Sequence, residues 1–268
     1  MSKQRLVPEP LSKVSLADYD PEYTAKYNKK TAREEIEALQ ARMAILQEML
    51  YAQGKHALLI VLQAMDAGGK DGTIKKVFEP INPMGVQATS FKAPTPEELA
   101  HDFLWRVHRH VPGKGYIGIF NRSHYEDVLI ARVNQLVPRK VWEKRYDQIN
   151  QFERMLRENG TRILKFYLHI SKDEQKKRFQ ERLDNPEKHW KFSLGDLPVR
   201  EKWDDYMRAY EDALTYCNTE YAPWHIVPAN KKWYRDLVVT RAIVETMETM
   251  DLAYPDPEDN LDGVVIPD

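Results

Sequence analysis

The stretch ALLIVLQAMDAGGKDGTIKK, residues 57–76, begins with an apolar run and continues with two glycines and a lysine. Residues 64–71, AMDAGGKD, match the phosphate-loop pattern GxxxxGK[ST], except that Ala64 replaces the first glycine and Asp71 the Ser/Thr. Such a loop turns backbone N–H groups toward a phosphate, and the helix that follows adds partial positive charge. The alternative is an ordinary strand–turn–helix junction with a surface lysine. The predicted phosphate-binding residues of this loop are Ala67, Gly68, Gly69, Lys70, Asp71 and Gly72.

Two carboxylates, Asp66 and Asp71, lie inside this loop. An unpaired acid beside phosphate is unfavourable in a partly desolvated site, because like charges repel at close range. Mg²⁺ removes the conflict, since it binds carboxylate, water and phosphate oxygens together. We therefore predict that Asp66 ligates Mg²⁺, with Mn²⁺ as a substitute, directly or through water. For Asp71 we favour a role as the cap of the following helix, where an acid is stabilised by the helix dipole.

A second group of polar residues follows another apolar run in FNRSHYED, residues 120–127. An arginine at the carboxyl end of a parallel strand faces the crevice where ligands bind, so Arg122 is predicted to hold a phosphate bidentately. Glu126 and Asp127 can complete a metal shell, and Asp127 is the second predicted metal ligand. The alternative is a helix start in which Ser123 caps and the acids favour the dipole. The predicted nucleotide-binding residues are Asn121, Arg122, Glu126 and Asp127.

These residues must be positioned by a scaffold, and in the sequence short apolar runs typical of strands alternate with segments that have helical patterns. That alternation predicts an α/β fold of three layers, with a five-stranded parallel sheet covered by helices on both faces. The predicted strands are ALLIVLQ (57–63), GVQATSF (85–91), GYIGIF (115–120), TRILKFYLHI (161–170) and PWHIVPA (223–229).

Helix signals divide the chain further. Thr31 and Glu34 form a capping-box pattern before a long amphipathic helix. Thr95 starts a helix predicted over residues 96–111, and Ser171 is the predicted N-cap of another. We expect an extended arm at residues 1–30, a single domain at 31–250 with a mobile lid at about 178–196, and an acidic tail at 251–268.

Composition excludes several classes of protein. The chain has 268 residues, 42% hydrophobic and 30% charged, with a formal net charge of -1, which indicates a soluble globular protein without a uniformly basic surface. Nucleic-acid binding is not expected, since no aromatic residues alternate with the basic ones. Cys217 is the only cysteine, so neither a disulfide within the chain nor a cysteine-rich zinc site can form. Without an apolar signal or membrane segment, a cytoplasmic location is expected.

Three separate blocks resemble one family. MDAGGKDGTIKKVFEPINPMGV (65–86), FNRSHYEDVLIARV (120–133) and RFQERLDNPEKHWKFSLGD (178–196) are similar to the polyphosphate kinase 2 family, over about residues 30–250. The resemblance implies a P-loop kinase fold like that of nucleoside-monophosphate kinases. It also implies Mg²⁺-dependent phosphoryl transfer between inorganic polyphosphate and nucleotides, and a homo-oligomer, dimer or tetramer. Asn121 together with Glu126 resembles the class III members, which phosphorylate both AMP and ADP.

The third block supplies the lid. Arg178 and Arg182 are four residues apart and hence on one helical face, although a solvated face with ion pairs is the alternative. By resemblance to kinase lids, both arginines are predicted to stabilise the transferring phosphoryl group, with Lys188 and Lys191 as further candidates. A long polyphosphate also needs a basic track along its chain. The predicted track comprises Lys70, Lys75, Lys76, Arg122, Arg178, Arg182, Arg200 and Lys231.

The predicted function is a kinase that moves phosphate from polyphosphate to AMP or ADP, with guanine nucleotides as further acceptors to test. An ATP-dependent nucleotide or small-molecule kinase on the same fold is the first alternative, and a regulatory protein that binds without turnover is the second. The predicted catalytic residues are Asp66, Lys70, Arg122, Arg178 and Arg182.

Overall fold

The computed structural model describes residues 5–257, 259–260, 262 and 264–267. All five predicted strands are present within these residues, and they form one parallel sheet in the order β2-β3-β1-β4-β5. The strands are β1 (Ala57–Gln63), β2 (Val86–Ser90), β3 (Ile117–Asn121), β4 (Thr161–His169) and β5 (Trp224–Pro228). The predicted α/β class is therefore confirmed.

The central strand, β1, has a continuously apolar sequence up to Gln63, which suits a position in the middle of the sheet. Every residue of β1 is buried, which is the pattern of a parallel strand covered on both faces. In the register, Leu62 of β1 lies opposite Asn121 of β3. The loops after β1 and β3 therefore leave the sheet side by side, at the edge where ligands bind in open α/β sheets.

Helices cover the sheet in two groups. The α-helices are α1 (Lys29–Gln53), α2 (Lys70–Val77), α3 (Pro96–Leu99), α4 (Trp105–His108), α5 (Ile130–Val133), α6 (Arg139–Glu158), α7 (Lys172–Leu183), α8 (Asp196–Glu201), α9 (Trp203–Tyr216) and α10 (Lys232–Glu248). Helices α1 and α2 pack on α10, whereas α5, α6 and α9 pack on one another. Short 3₁₀ helices lie at Leu16–Asp18, Pro83–Gly85, His124–Asp127 and Pro186–Lys191.

Two predicted helix boundaries are wrong. Helix α1 begins at Lys29, because Asn28 is its N-cap and Thr31 closes the capping box from the third helical position. The helix predicted over 96–111 is split into α3 and α4. Between them the side chain of Asp102 accepts hydrogen bonds from the backbone N–H of Leu104 and Trp105 (3.0 and 3.1 Å), which starts a new turn.

The other two predicted caps are confirmed, since Thr95 caps α3 with Glu98 and Ser171 caps α7. The described residues of the tail, after α10, contain no helix or strand. No helix among the described residues is long and apolar enough to cross a membrane.

The N-terminal segment, predicted as an extended arm, runs along the edge of the sheet. The backbone N–H of Ile226 in β5 donates to the carbonyl of Leu6 (2.8 Å), and Leu16 is buried. Further along, Glu22 forms an ion pair with Lys231 (2.8 Å) just before α10. The arm thus covers the open edge of β5, which would otherwise present unpaired backbone groups.

Candidate active site

The loop between β1 and α2 is held in a tight turn by small residues. Ala67 and Gly69 have positive φ angles of 59° and 103°. A Cβ atom added to Gly68 would lie 2.7 Å from the carbonyl oxygen of Met65 and closer still to the Cβ of Ala64. The N-terminus of α2 therefore follows the loop with no space for larger residues, which is the backbone arrangement that a phosphate-binding turn requires.

Lys70 is the first residue of α2 and folds back over this loop. Its side chain is buried, and Nζ donates to the carbonyl oxygens of Ala64 (2.8 Å) and Met65 (3.4 Å). Burial lowers the pKa of the Lys70 amine, and the guanidinium of Arg122 lowers it further. A phosphate at this position would supply the negative charge that the two neutral carbonyls do not.

Arg122 and Asp66 are brought together from neighbouring loops. Arg122 lies just past β3 with a positive φ of 63°, and its Nη2 donates to Asp66 Oδ1 (2.8 Å). Burial works to lower the pKa of Arg122, but Glu126 and Asp66 outweigh it, so the pKa is raised. The predicted phosphate-binding arginine and the predicted metal ligand are thus direct partners.

The remaining predicted nucleotide residues separate into two places. Asn121 Nδ2 donates to Asp71 Oδ1 (2.5 Å), which joins the end of β3 to α2. Gly69 occupies the N-cap position of α2, so the prediction that Asp71 caps this helix is wrong. Asp71 does lie in the first turn of α2. Asp127 turns away toward α6, where Arg145 Nη1 contacts its Oδ1 (2.9 Å) and its carbonyl oxygen (3.0 Å).

Glu126 stays near the loop side of the turn. With the amide oxygen of Gln63 facing Ser123, the Gln63 nitrogen donates to Glu126 Oε1 (3.0 Å). Burial raises the pKa of Glu126, whereas Arg122 and Lys70 counteract that rise. The alternative prediction for Ser123 is confirmed as well, since its Oγ accepts from the backbone N–H of Tyr125 (3.2 Å) at the start of the 3₁₀ helix.

A cavity of about 380 Å³ lies over these groups and is closed on one side by the lid. The lid contains the 3₁₀ helix Pro186–Lys191 and ends at the start of α8. The residues that line the cavity are Asp66, Ala67, Gly68, Gly69, Lys70, Asp71, Gly72, Ser90, Phe91, Lys92, Asn121, Arg122, Arg182, Lys191, Ser193 and Asp196. The whole predicted phosphate loop and both ends of the predicted lid therefore face one space.

Arg182 and Lys191 reach this space from the lid, and their predicted role toward the transferring phosphoryl group stays a prediction. Arg182 Nη1 donates to the carbonyl oxygen of Lys191 (2.8 Å) and lies 3.9 Å from Asp196 Oδ2. Asp196 was not predicted. Burial raises the pKa of the Asp196 carboxyl, and the negative charge of Asp66 raises it further. Two carboxylates thus face the cavity, and the charge of Asp66 disfavours the ionisation of Asp196.

Comparisons with known proteins agree with one another. The family model described as polyphosphate kinase 2 matches residues 26–255. The chain belongs to the polyphosphate kinase 2 family. An AMP/ADP-polyphosphate phosphotransferase of Meiothermus ruber is 55% identical over 268 residues, 99% of this chain and all of that one. An ADP-polyphosphate phosphotransferase of Rhodopseudomonas palustris is 49% identical and covers 88% of this chain and 85% of its own. The crystal structure of polyphosphate kinase 2 from Arthrobacter aurescens TC1 superposes with a TM-score of 0.92 at 48% identity, over 96% and 92% of the two chains.

In this member of the polyphosphate kinase 2 family, Arg178 lies behind the phosphate loop. It does not line the cavity. Its Nη1 donates to the carbonyl oxygens of residues 67–68 (3.0 and 3.1 Å), and Nη2 to those of residues 229–230 (2.6 and 3.2 Å). Nε is paired with Glu174 (2.8 Å). The guanidinium therefore ties the phosphate loop to the end of β5, and its predicted contact with substrate stays a prediction.

The predicted basic track is not continuous in the structure. Lys76 and Lys231 line a separate groove beside α1 and α10, and each forms an ion pair, with Glu79 (2.6 Å) and Glu22. Lys75 is exposed on α2 and does not line the cavity. Arg200 donates to the Lys172 carbonyl (2.6 Å) and to Gln175 (3.0 Å).

The cavity has a donor set that fits a divalent cation bound together with phosphate. Among the residues that the structure describes, no group of three or more His, Cys, Asp or Glu side chains could hold a metal ion. Asp66 and Asp196 both line the cavity, whereas Asp127 does not. Mg²⁺ commonly takes one or two carboxylates plus substrate phosphates, so this pair suits it.

Proposed function

We propose that this protein transfers the terminal phosphoryl group of inorganic polyphosphate to AMP and to ADP, giving ADP and ATP. The observation that carries the proposal is the cavity between the phosphate loop and the lid, in which basic and acidic groups face each other. Its basic residues are Lys70, Lys92, Arg122, Arg182 and Lys191. Cations on both walls suit a pair of polyanionic substrates. The two relatives described above are named AMP/ADP-polyphosphate phosphotransferase and ADP-polyphosphate phosphotransferase.

The chemistry is an in-line displacement. A terminal phosphate oxygen of the nucleotide forms a bond to the end phosphorus of polyphosphate, while the P–O bond to the next phosphate breaks and a chain shorter by one phosphate leaves. The attacking oxygen is already ionised at neutral pH, so no general base is required. One P–O bond replaces another of similar kind, and the reaction can therefore run in both directions.

The residues of the chain act by position and charge. Lys70 and the N–H groups of the phosphate loop bind one substrate, and Arg122 orients the phosphate next to it. Arg182 and Lys191 neutralise charge from the lid side and, with the lid, keep water out. The lid and loop walls then stabilise the equatorial oxygens of the transferring group from opposite sides.

Mg²⁺ is part of the proposal, with Mn²⁺ as its substitute, and Asp66 and Asp196 are the residues that would hold it. When bound, the ion would neutralise phosphate oxygens and relieve the repulsion between the two carboxylates. A homo-oligomer is also proposed, on the family resemblance, and light scattering on the purified chain tests it.

The decisive experiment supplies AMP or ADP with long-chain polyphosphate and Mg²⁺, without ATP, and separates the products by chromatography. ADP and ATP are the expected products, and Lys70→Met is the matched inactive control. If polyphosphate gives no product while ATP with AMP gives ADP, the chain is an ATP-dependent kinase. Parallel reactions with GMP and GDP measure base preference.

A further inference from the structure

A group of buried polar side chains lies behind the turn that carries Arg122. Glu153 of α6 and Lys165 of β4 are both fully buried, with Lys165 Nζ 2.6 Å from Glu153 Oε2. Glu153 Oε1 accepts from the hydroxyl of Tyr125 (2.8 Å) and contacts His124 Nε2 (3.1 Å). His124 and Tyr125 belong to the 3₁₀ helix next to Arg122, so this group joins α6 and β4 to the turn.

Nearly all hydrogen-bonding capacity in the group is used. Besides Glu153, Lys165 Nζ donates to the hydroxyl of Tyr125 (2.7 Å) and to the carbonyl oxygen of Cys217 (2.6 Å), which accounts for its three N–H bonds. Burial works to raise the pKa of Glu153, but the positive charge of Lys165 and the hydrogen bonds from His124 and Lys165 together outweigh it, so the pKa is lowered. Such a network defines one geometry, because each partner that moves leaves a buried charge with one hydrogen bond fewer.

Stability alone does not account for this arrangement. A buried ion pair can usually be replaced by apolar residues of similar volume at little or no cost in stability. The turn itself needs support, because Arg122 has a left-handed backbone conformation that a non-glycine residue rarely adopts. Along the turn, Arg122 and Glu126 are directed to the loop side, whereas His124 and Tyr125 are directed to the network.

We propose that Glu153, held by Lys165, is a positioning residue that fixes the turn 121–127 through His124 and Tyr125 and thereby aims Arg122 into the cavity. The proposal depends on the proposed function at one point, namely that Arg122 binds a phosphate in the cavity. Arg145 supports it independently, since it fixes the far end of the same turn through Asp127 from the same helix, α6.

The test replaces both charged partners, Glu153→Met with Lys165→Met, so that no unpaired charge remains buried. We expect this paired variant to melt close to the parent chain. We expect kcat to fall by roughly 10- to 100-fold, with a smaller change in KM, because a misplacement of about 1 Å has an effect of that size. Amide hydrogen exchange in residues 121–129 should become faster.

Two comparisons separate positioning from a loss of stability. Ile149→Ala, at a fully buried apolar position of α6, should lower the melting temperature while leaving every hydrogen bond of the network in place, and its kcat should equal that of the parent below melting. In an Arg122→Lys background, the paired change should cost little further activity, since both act through the same group. Tyr125→Phe, which removes one hydroxyl, should give a smaller fall in kcat and faster exchange in the same residues.

Unchanged kcat and unchanged exchange in a folded paired variant would overturn the proposal. If the paired variant does not fold, unchanged kcat and exchange in Tyr125→Phe overturn it equally. A full additive loss in the Arg122→Lys background also counts against it. The exchange measurement does not depend on catalysis, so it decides the positioning even if the parent chain proves unable to use polyphosphate.

Discussion

Replacing Arg178 should lower stability as well as turnover, because its guanidinium holds two loops together. The side chain is 6% exposed and donates to four carbonyl oxygens at residues 67–68 and 229–230. A hydrogen bond from a charged group contributes about 1.5–3 kcal/mol. The two nitrogens each bridge a pair of carbonyls, so Arg178→Met should lower the free energy of unfolding by roughly 3–6 kcal/mol.

The assay combines urea unfolding with steady-state turnover for Arg178→Met and Arg178→Lys. Lysine keeps the charge but cannot span both pairs of carbonyls, so its loss of stability should be intermediate. The matched control is Arg182→Met, one turn further along α7 and facing the cavity with a side chain 22% exposed. That variant should lose turnover with a smaller loss of stability than Arg178→Met, because Arg182 donates to a single carbonyl oxygen from a more exposed position.

Either of two results would contradict this role of Arg178. If Arg178→Met unfolds within about 1 kcal/mol of the parent chain while turnover collapses, the contacts to the loop carbonyls contribute nothing measurable. Arg178 would then act on substrate, as its lid position in the sequence suggested. A loss of stability without any loss of turnover below the unfolding transition would contradict the inferred link between this arginine and the phosphate loop.

Three further predictions follow from local geometry and burial. Gly68→Ala should abolish phosphate binding measured by calorimetry and destabilise the chain by roughly 1–3 kcal/mol, whereas Gly113→Ala, with nothing near its added Cβ, should be neutral. Asp196→Asn should raise the melting temperature at pH 7 and weaken the Mg²⁺ dependence of turnover. Because the pKa of Asp196 in the folded state is raised from 3.8, its ionised form lowers stability at pH 7. The gain in melting temperature should therefore vanish as the pH falls toward 3.8. Burial lowers the pKa values of His169 and His225 from 6.5 to about 4, so stability should be complete above pH 6.5 and fall toward pH 4. His169→Gln should make that decline shallower in unfolding curves measured across this range, and an unchanged slope would contradict it.

The sheet and the phosphate loop could be predicted because their signals are local. A fully buried parallel strand must be apolar along its whole length, and residues 57–63 are. The glycines after it are required by the backbone itself, as the close contact at Gly68 shows. The split between α3 and α4 was missed because it depends on Asp102, whose side chain competes with the helix for backbone N–H groups.

Residues that depend on tertiary contacts could not be identified in this way. Asp196 follows a glycine at the end of the lid, and only the folded lid brings it to the cavity that Asp66 lines. Arg178 and Arg182 share one face of α7 in the sequence pattern, but one is fixed to backbone carbonyls and the other faces the cavity. Spacing of four residues places two side chains on one face, and it does not decide which neighbour each one meets.

Three cationic groups of the cavity are paired within the protein before any substrate binds. Lys70 donates to carbonyls of its own loop, Arg122 to Asp66, and Arg182 to the Lys191 carbonyl. A phosphate must displace these partners, so its net gain is the difference between two sets of interactions and not the full attraction. The groups are nevertheless already oriented, and little reorganisation remains for the transfer step. It follows that Asp66→Asn should strengthen the binding of free phosphate in the absence of Mg²⁺, because Arg122 loses its competing charge, even as turnover falls. Weaker phosphate binding by this variant, measured by calorimetry with chelator present, would show that Asp66 orients Arg122 more than it competes for it.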